Sequence, residues 1–312
     1  MTSAARTLYD TVAIETASIV IRRYSTSFGL ASRLLGGEVR QHVSNIYALV
    51  RLADEVVDGV AASAELAPDD IAKLLSTLEH ETLDAIAVGY STNLVVHAFA
   101  LTAREVSFGA ELVEPFFASM RADLTEVEHT PESFARYVYG SAEVVGLMCL
   151  ATFLHGHIVA DVRRAALVDG ACHLGAAFQK INFLRDLAAD FAGLGRSYFP
   201  GVTVSTFSEE SKAAILDDID NDLRISRAVL GDLPPSSRRA VALAQGLFAE
   251  LTVRLRSTPA AVLAETRIRV PNPVKLRIAA SAAAGRLPPT PQHRVPVSSP
   301  LQPRPPLSKE PR

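Results

Sequence analysis

Two acidic pairs set in apolar surroundings are the residues of this chain best suited to chemistry. Along residues 171–191, ACHLGAAFQKINFLRDLAADF, apolar side chains fall on nearly every face of an α-helix, the pattern of a buried helix. One polar stripe interrupts them. Gln179, Asn182, Asp186 and Asp190 lie within about 80° of one another at 100° per residue. Along residues 40–60, RQHVSNIYALVRLADEVVDGV, a second stripe brings Tyr47, Arg51, Asp54 and Asp58 within about 60°. Asp54 and Asp58 are four apart, so their carboxylates project side by side.

A buried carboxylate is costly unless it is paired or binds a metal. An internal ion-pair network, with Arg185 or with a neighbouring helix, satisfies that requirement. A hard cation also satisfies it, and two acidic pairs, each with further polar partners, favour the cation. Mg²⁺ takes one or two carboxylates and completes its shell with water and substrate phosphate oxygens. The residues therefore point to Mg²⁺, with Mn²⁺ as a substitute, held by Asp54, Asp58, Asn182, Asp186 and Asp190. The ligand expected between them is a diphosphate.

The elements that must position these stripes are helices. Apolar residues recur at three- and four-residue spacing through most of the chain, and strand signals are scarce. The spacing predicts helices over 7–33, 38–60, 68–88, 92–106, 113–127, 131–154, 159–191, 209–230 and 236–256. Shorter ones are expected at 260–266 and 272–284. Gly36-Gly37, Gly89, Pro131, the stretch 193–200 and Pro234-Pro235 punctuate them.

Hydrophobic residues form 48% of the 312, which supplies a sizeable core. The net charge of −3 gives no electrostatic reason to expect nucleic acid. Cys149 and Cys172 lie in apolar runs outside any metal-ligand spacing and read as buried thiols in a reduced compartment. The run 144–154 is about half a membrane span, so a buried helix is expected there. A cytoplasmic protein is the reading, one that a greasy substrate can bring to a membrane surface. His155-Gly-His157 has no third ligand nearby in sequence. Asp217, Asp218, Asp220 and Asp222 read as a solvated helix face. No phosphate loop or dinucleotide fingerprint occurs.

Half of the 18 prolines fall within 287–312. Such a stretch cannot bury enough apolar surface to fold, which predicts a helical domain over 1–286 and a disordered tail over 287–312. Pro300–Pro303 has a Pro-x-x-Pro spacing that a proline-reading partner could take.

Several stretches resemble the squalene/phytoene synthases, which join two prenyl diphosphates head to head. Tyr24-Ser-Thr-Ser-Phe28 resembles their N-terminal substrate motif, and Arg51-Leu-Ala-Asp-Glu-Val-Val-Asp58 their first aspartate-rich motif. Tyr137 to Gly146 is similar to the helix that lines their tunnel. Gln179-x-x-Asn182-x-x-Arg-Asp186-x-x-x-Asp190, followed by Gly195-Arg-Ser-Tyr-Phe-Pro200, resembles their second aspartate-rich motif and flap. The resemblance covers about residues 8–280.

The resemblance implies an all-α, single-domain isoprenoid-synthase bundle around a central cavity. It assigns substrate contacts to Ser25, Ser27, Phe28, Tyr137, Ala142, Val145, Gly146, Gln179, Asn182 and Arg267. Catalytic roles fall to Asp54, Asp58, Asp186, Asp190, Tyr47 and Arg51. Phe28, Tyr47 and Tyr137 either face cations with their rings or pack in the core. Glu143 stands where the family commonly has glycine, and Phe248 where it has a tyrosine. The expected reaction is condensation of two geranylgeranyl diphosphates to phytoene. The alternatives are a C30 enzyme using farnesyl diphosphate and a non-catalytic scaffold. A chain-elongating prenyltransferase would carry DDxxD motifs, whereas this chain has DExxD and DxxxD. Ser32 and Ser44, small where C30 enzymes tend to carry aromatics, are expected at the tunnel floor.

Overall fold

The computed structural model describes residues 2–25, 27–194 and 197–288. Among them the chain forms α1 (Thr2–Tyr24), α2 (Ser27–Ser32), α3 (Gly37–Val57), α4 (Val60–Ser63), α5 (Pro68–Val88), α6 (Leu94–Val106) and α7 (Ala110–Thr125). A central helix follows, made of α8 (Pro131–Val138), a π-helical turn (Tyr139–Glu143) and α9 (Val144–Leu154). Then come α10 (Asp161–Leu194), α11 (Glu209–Val229), a 3₁₀ turn (Leu230–Asp232), α12 (Pro235–Ser257), α13 (Ala260–Leu263) and α14 (Asn272–Ala283). No β-strand occurs among the described residues, only an isolated bridge between Glu128 and Ser197.

Local chemistry sets many of the boundaries. Asn93 caps α6 by accepting from the amides of Val95 and Val96. Thr130 and Ser208 open α8 and α11 with reciprocal serine boxes. Gly89 ends α5 at φ 78°, a left-handed conformation that glycine adopts without strain. The single helix expected over 7–33 is interrupted after Tyr24. There Ser25 turns its hydroxyl to the Gly29 amide at 3.0 Å and starts α2 instead.

The helices form two layers on either side of the central helix. On one side α3, α5, α6 and α7 bury Ile46, Leu49, Leu75, Phe99, Phe116 and Phe117 against Val144 and Met148. On the other, α10, α11 and α12 bury Ile181, Leu184, Leu216, Ile219 and Leu255. The central helix, the one described helix long and apolar enough to cross a membrane, is therefore the middle of the bundle. Its approach to its neighbours requires small residues. A Cβ on Gly140 would meet the Pro115 carbonyl oxygen at 2.1 Å, and one on Gly175 would meet the Ala142 oxygen at 2.6 Å.

The acidic run in α11 is a correction to the solvated face expected from sequence. Asp220 and Asp222 are buried. Lys180 from α10 ion-pairs with Asp218 and Asp222, His173 sits 2.6 Å from Asp222, and Arg256 reaches Asp217 and Asp220 at 2.8 Å. The cause is that α11 lies between α10 and α12, and both present cations to it. Two residues past the expected boundary at 286 are packed. Leu287 packs with the α12–α14 core, and the buried Pro288 accepts a hydrogen bond from Arg227 through its carbonyl. Residues 289–312 lie outside the described residues.

Candidate active site

The C-terminal half of α3 carries the first stripe. Tyr47, Arg51 and Asp54 are half-buried, and Asp58 caps the helix, exposed, with its amide on the Asp54 carbonyl at 2.8 Å. Arg51 does not stand free: it ion-pairs with Glu55, one turn on, and lies 4.6 Å above the Tyr24 ring. Ser25 hydrogen-bonds the Tyr47 hydroxyl, so the Tyr24-Ser25 corner closes over the stripe. Burial pushes the Asp54 carboxyl up to about 7; Arg51 opposes the rise, and the charges of Asp58 and Glu55 add to it. Burial likewise raises the Tyr47 hydroxyl above its ordinary value, against the effects of Ser25 and Arg51.

The second stripe lies along α10. Gln179 donates to the Ser141 hydroxyl at 3.2 Å, which ties the stripe to the π-helical turn. Asp186 is gripped by two arginines. Arg185 donates to both of its oxygens, at 3.0 and 2.5 Å, and Arg267, from beyond α13, reaches it at 2.8 and 3.3 Å. The ion-pair network weighed at the sequence level is thus present. It also brings Arg267, 81 residues away, which the resemblance assigns to substrate binding, onto Asp186. Asn182 is half-buried on the same face. The side chains of Ser27, Phe28 and Asp190 lie outside the described residues, as do Gly195 and Arg196.

Tyr137 links the two stripes. Its hydroxyl donates to both carboxylate oxygens of buried Asp123, at 2.8 and 2.9 Å. Its pKa is raised well above the ordinary value by burial first, then by Asp123, with a smaller contribution from the charge of Asp58. Its ring lies 5.8 Å from that of Phe183, the neighbour of Asn182 on α10. The charge of Asp58 thus reaches Tyr137 from the end of α3, and the Phe183 ring reaches it from α10. His129, Phe183 and Tyr198 enclose the Tyr137 ring, which is the packing role left open by the sequence. Tyr198, from the segment after α10, stacks on Phe183 with centroids 3.9 Å apart and planes 7° apart.

Among the other expected contacts, Ala142 and Val145 are half-buried on the central helix. Gly146 turns to α10, where a Cβ would meet the Ala171 oxygen at 2.8 Å, so its smallness serves the helix contact. Glu143 is buried in the π-helical turn, and Phe248 stacks on Phe178 at 3.9 Å. Ser32 and Ser44 are buried with their hydroxyls on carbonyls of their own helices, Gly29 at 2.9 Å and Arg40 at 2.7 Å. That geometry is local backbone bonding and assigns neither to a tunnel floor. Sequence reasoning missed Asp123. Its signal was an acid three residues after Met120 on the face carrying Phe116 and Phe117. It also missed Glu55 as the partner of Arg51, although the four-residue spacing allows the pair.

The donors fit a hard divalent cation. All are oxygens, and both aspartates that anchor the stripes require positive charge: Asp54 is driven toward protonation, and Asp186 is held by two guanidinium groups.

The all-helical bundle has the fold of the isoprenoid synthases, and comparison with known proteins identifies the branch. Residues 21–274 match the squalene/phytoene synthase family. The chain belongs to that family and is a prenyltransferase. It is 30% identical over 258 residues to a 15-cis-phytoene synthase of Paracoccus sp. (strain N81106 / MBIC 01143), covering 77% of this chain and 81% of the relative. It is 28% identical over 252 residues to a phytoene synthase of Pseudescherichia vulneris, covering 75% and 79%. In fold it is similar to a crystal structure of a dehydrosqualene synthase in complex with ligand. The TM-score is 0.72 at 22% identity, over 88% of this chain and 97% of the other.

Proposed function

We propose that the protein condenses two geranylgeranyl diphosphates head to head into phytoene, with release of two diphosphates. The observation that supports this reading is the pair of acidic stripes, Asp54 and Asp58 beside Arg51 on α3 and Asp186 on α10 held by Arg267. The naming of relatives at 28–30% identity as phytoene synthases supports the C40 product.

In this reading Asp54, Asp58, Asn182, Asp186 and Asp190 hold Mg²⁺. Bound Mg²⁺ neutralises the diphosphate and makes it a better leaving group. Arg267, already at the diphosphate end, donates to phosphate oxygens once Asp186 takes up the cation, and Arg51 does the same from α3. Cleavage of the first C–O bond leaves an allylic cation, which the double bond of the second substrate attacks. Loss of one proton closes a cyclopropane. Cleavage of the second C–O bond, rearrangement and loss of another proton give the linear hydrocarbon. No hydride is required, in keeping with a sequence that has no dinucleotide fingerprint. The apolar flank of Tyr137, Phe183 and Tyr198 excludes the water that would quench a cation.

The test is incubation of purified protein and Mg²⁺ with farnesyl or geranylgeranyl diphosphate, with and without NADPH, and identification of the hydrocarbon. A C40 product formed equally well without NADPH is expected. A C30 product from farnesyl diphosphate alone would replace this reading with the C30 one. No hydrocarbon from either substrate would favour the scaffold.

A further inference from the structure

The opposite end of α3 carries a second cluster that the prenyltransferase chemistry does not use. Glu38 and His42 are four residues apart and share a helix face. Glu105, in the last turn of α6, meets them there, with its Oε1 3.7 Å from His42 Nε2. The nearest donor atoms of Glu38, His42 and Glu105 all lie within 4.8 Å of one another. The two carboxylates are exposed and adjustable, while His42 is only 2% exposed.

The buried imidazole sets this cluster apart from a group of exposed surface acids. His42 Nδ1 lies 3.0 Å from the Thr102 hydroxyl, and Asn45 Nδ2 donates to that same oxygen at 3.0 Å. His42 Nε2 is buried, faces the carboxylates and has no hydrogen-bond partner. A buried polar atom left unpaired costs about 1–3 kcal/mol, so it calls for an explanation. Thr102 holds Nδ1 in either tautomer, and in the one in which Nδ1–H donates to Thr102 the Nε2 lone pair faces the two glutamates. Metal-binding histidines are held by their other nitrogen in this way. Burial lowers the imidazole pKa from its ordinary value, against the pull of Glu105 and Glu38.

We propose that Glu38, His42 and Glu105 form a divalent transition-metal site, of the class Zn²⁺ fills, that joins the start of α3 to the end of α6. Two carboxylates balance the charge of the ion, and one imidazole selects it over Mg²⁺, which prefers oxygen donors throughout. Ligand atoms at about 2.0–2.2 Å from one Zn²⁺ lie closer together than these do, and rotation of the two exposed carboxylates closes the difference. Three protein ligands leave a fourth position for water. His155, just past the end of α9, is close enough to act on His42 electrostatically. Twelve residues, about 18 Å of helix, separate His42 from Asp54, so the site is distinct from the diphosphate end.

The experiment is calorimetric titration of the full chain, free of any histidine tag, with ZnCl₂ in excess Mg²⁺, which occupies the all-oxygen stripes. Melting curves with and without Zn²⁺ accompany it. Wild-type protein is expected to bind Zn²⁺ and melt higher with it. Glu38→Gln and Glu105→Gln, at exposed positions that leave the core intact, are expected to weaken that binding at least about tenfold and remove the rise. His42→Gln should do the same, but its burial makes the two glutamate variants the deciding ones. Equal Zn²⁺ affinity in wild type, Glu38→Gln and Glu105→Gln, or no Zn²⁺ binding by wild type, would overturn the site.

Discussion

At the scale of single residues, Asp54 combines the clearest chemistry with the clearest prediction. Its carboxyl is raised to about 7, whereas in the unfolded chain it titrates near 3.9. Its stabilising contribution is therefore fully present below the unfolded value and is lost as pH rises through about 7. In EDTA, the melting temperature of wild type is expected to fall relative to Asp54→Asn between about pH 4 and pH 7, because asparagine never acquires the charge. Parallel curves would mean that Asp54 is not desolvated as described. With Mg²⁺ present the same variant is expected to lose about 10²–10³ in turnover at unchanged fold, and Asp186→Asn likewise, since each removes an anchor for developing diphosphate charge. Near-normal rates in both would remove the cation from the site. Both aspartates were legible in the sequence because an acid on an apolar helix needs a reason to be there. The partners that satisfy them in the structure were less legible. Arg185 is adjacent in sequence, but Arg267 reaches Asp186 only through folding, and without the family resemblance no local pattern pointed to it.

At the scale of elements, α10 and α11 are joined by charge as well as by apolar packing. Lys180 is half-buried on α10 and pairs with Asp218 and Asp222; their charges overcome its desolvation and hold its pKa well above the ordinary value. Asp222 is lowered, because the hydrogen bond from His173 and the charge of Lys180 outweigh its own burial. Removing one partner of such a pair leaves an uncompensated buried charge, at a cost of about 3–5 kcal/mol. Lys180→Met is expected to lower the melting temperature sharply, and adding Asp222→Leu to restore most of it, since an apolar pair of similar volume replaces the ionic one. A double variant no more stable than the single would show that the loss came from packing. The helical period was readable for α11, but its four acids in six positions looked like a solvent face. Charge density on one helix does not reveal that a neighbour 40 residues away supplies a half-buried lysine. The break after Tyr24 was hidden for a related reason. Ser25 acts through its hydroxyl on the Gly29 amide, a local competition that apolar periodicity does not register.

At the scale of the whole molecule, the question is where the folded body ends. Composition places the change at 287, where proline becomes dense and the apolar period stops. Packing places it later. Leu287 lies against the core shared by α12 and α14, Pro288 is buried, its Cβ lies 3.7 Å from the point a Gly246 Cβ would occupy, and its carbonyl accepts from Arg227 on α11. Two residues thus fasten the end of the chain across three helices, although their sequence belongs to the proline-rich stretch. Composition averages over a window and cannot separate the last residues that pack from the first that do not. The two boundaries make different predictions for truncation. A chain ending at Pro288 is expected to melt with wild type and to turn over prenyl diphosphate at the same rate, because no described packing is lost. A chain ending at Arg286 loses the Leu287 contact and leaves the half-buried Arg227 without its carbonyl acceptor, which together cost on the order of 1–3 kcal/mol. Its melting temperature is expected to fall by several degrees, with kcat little changed, since neither Leu287 nor Pro288 belongs to the acidic stripes. Indistinguishable melting of the two truncations would return the boundary to 286. A loss of stability on removing 289–312 alone would show that the proline-rich segment docks on the body.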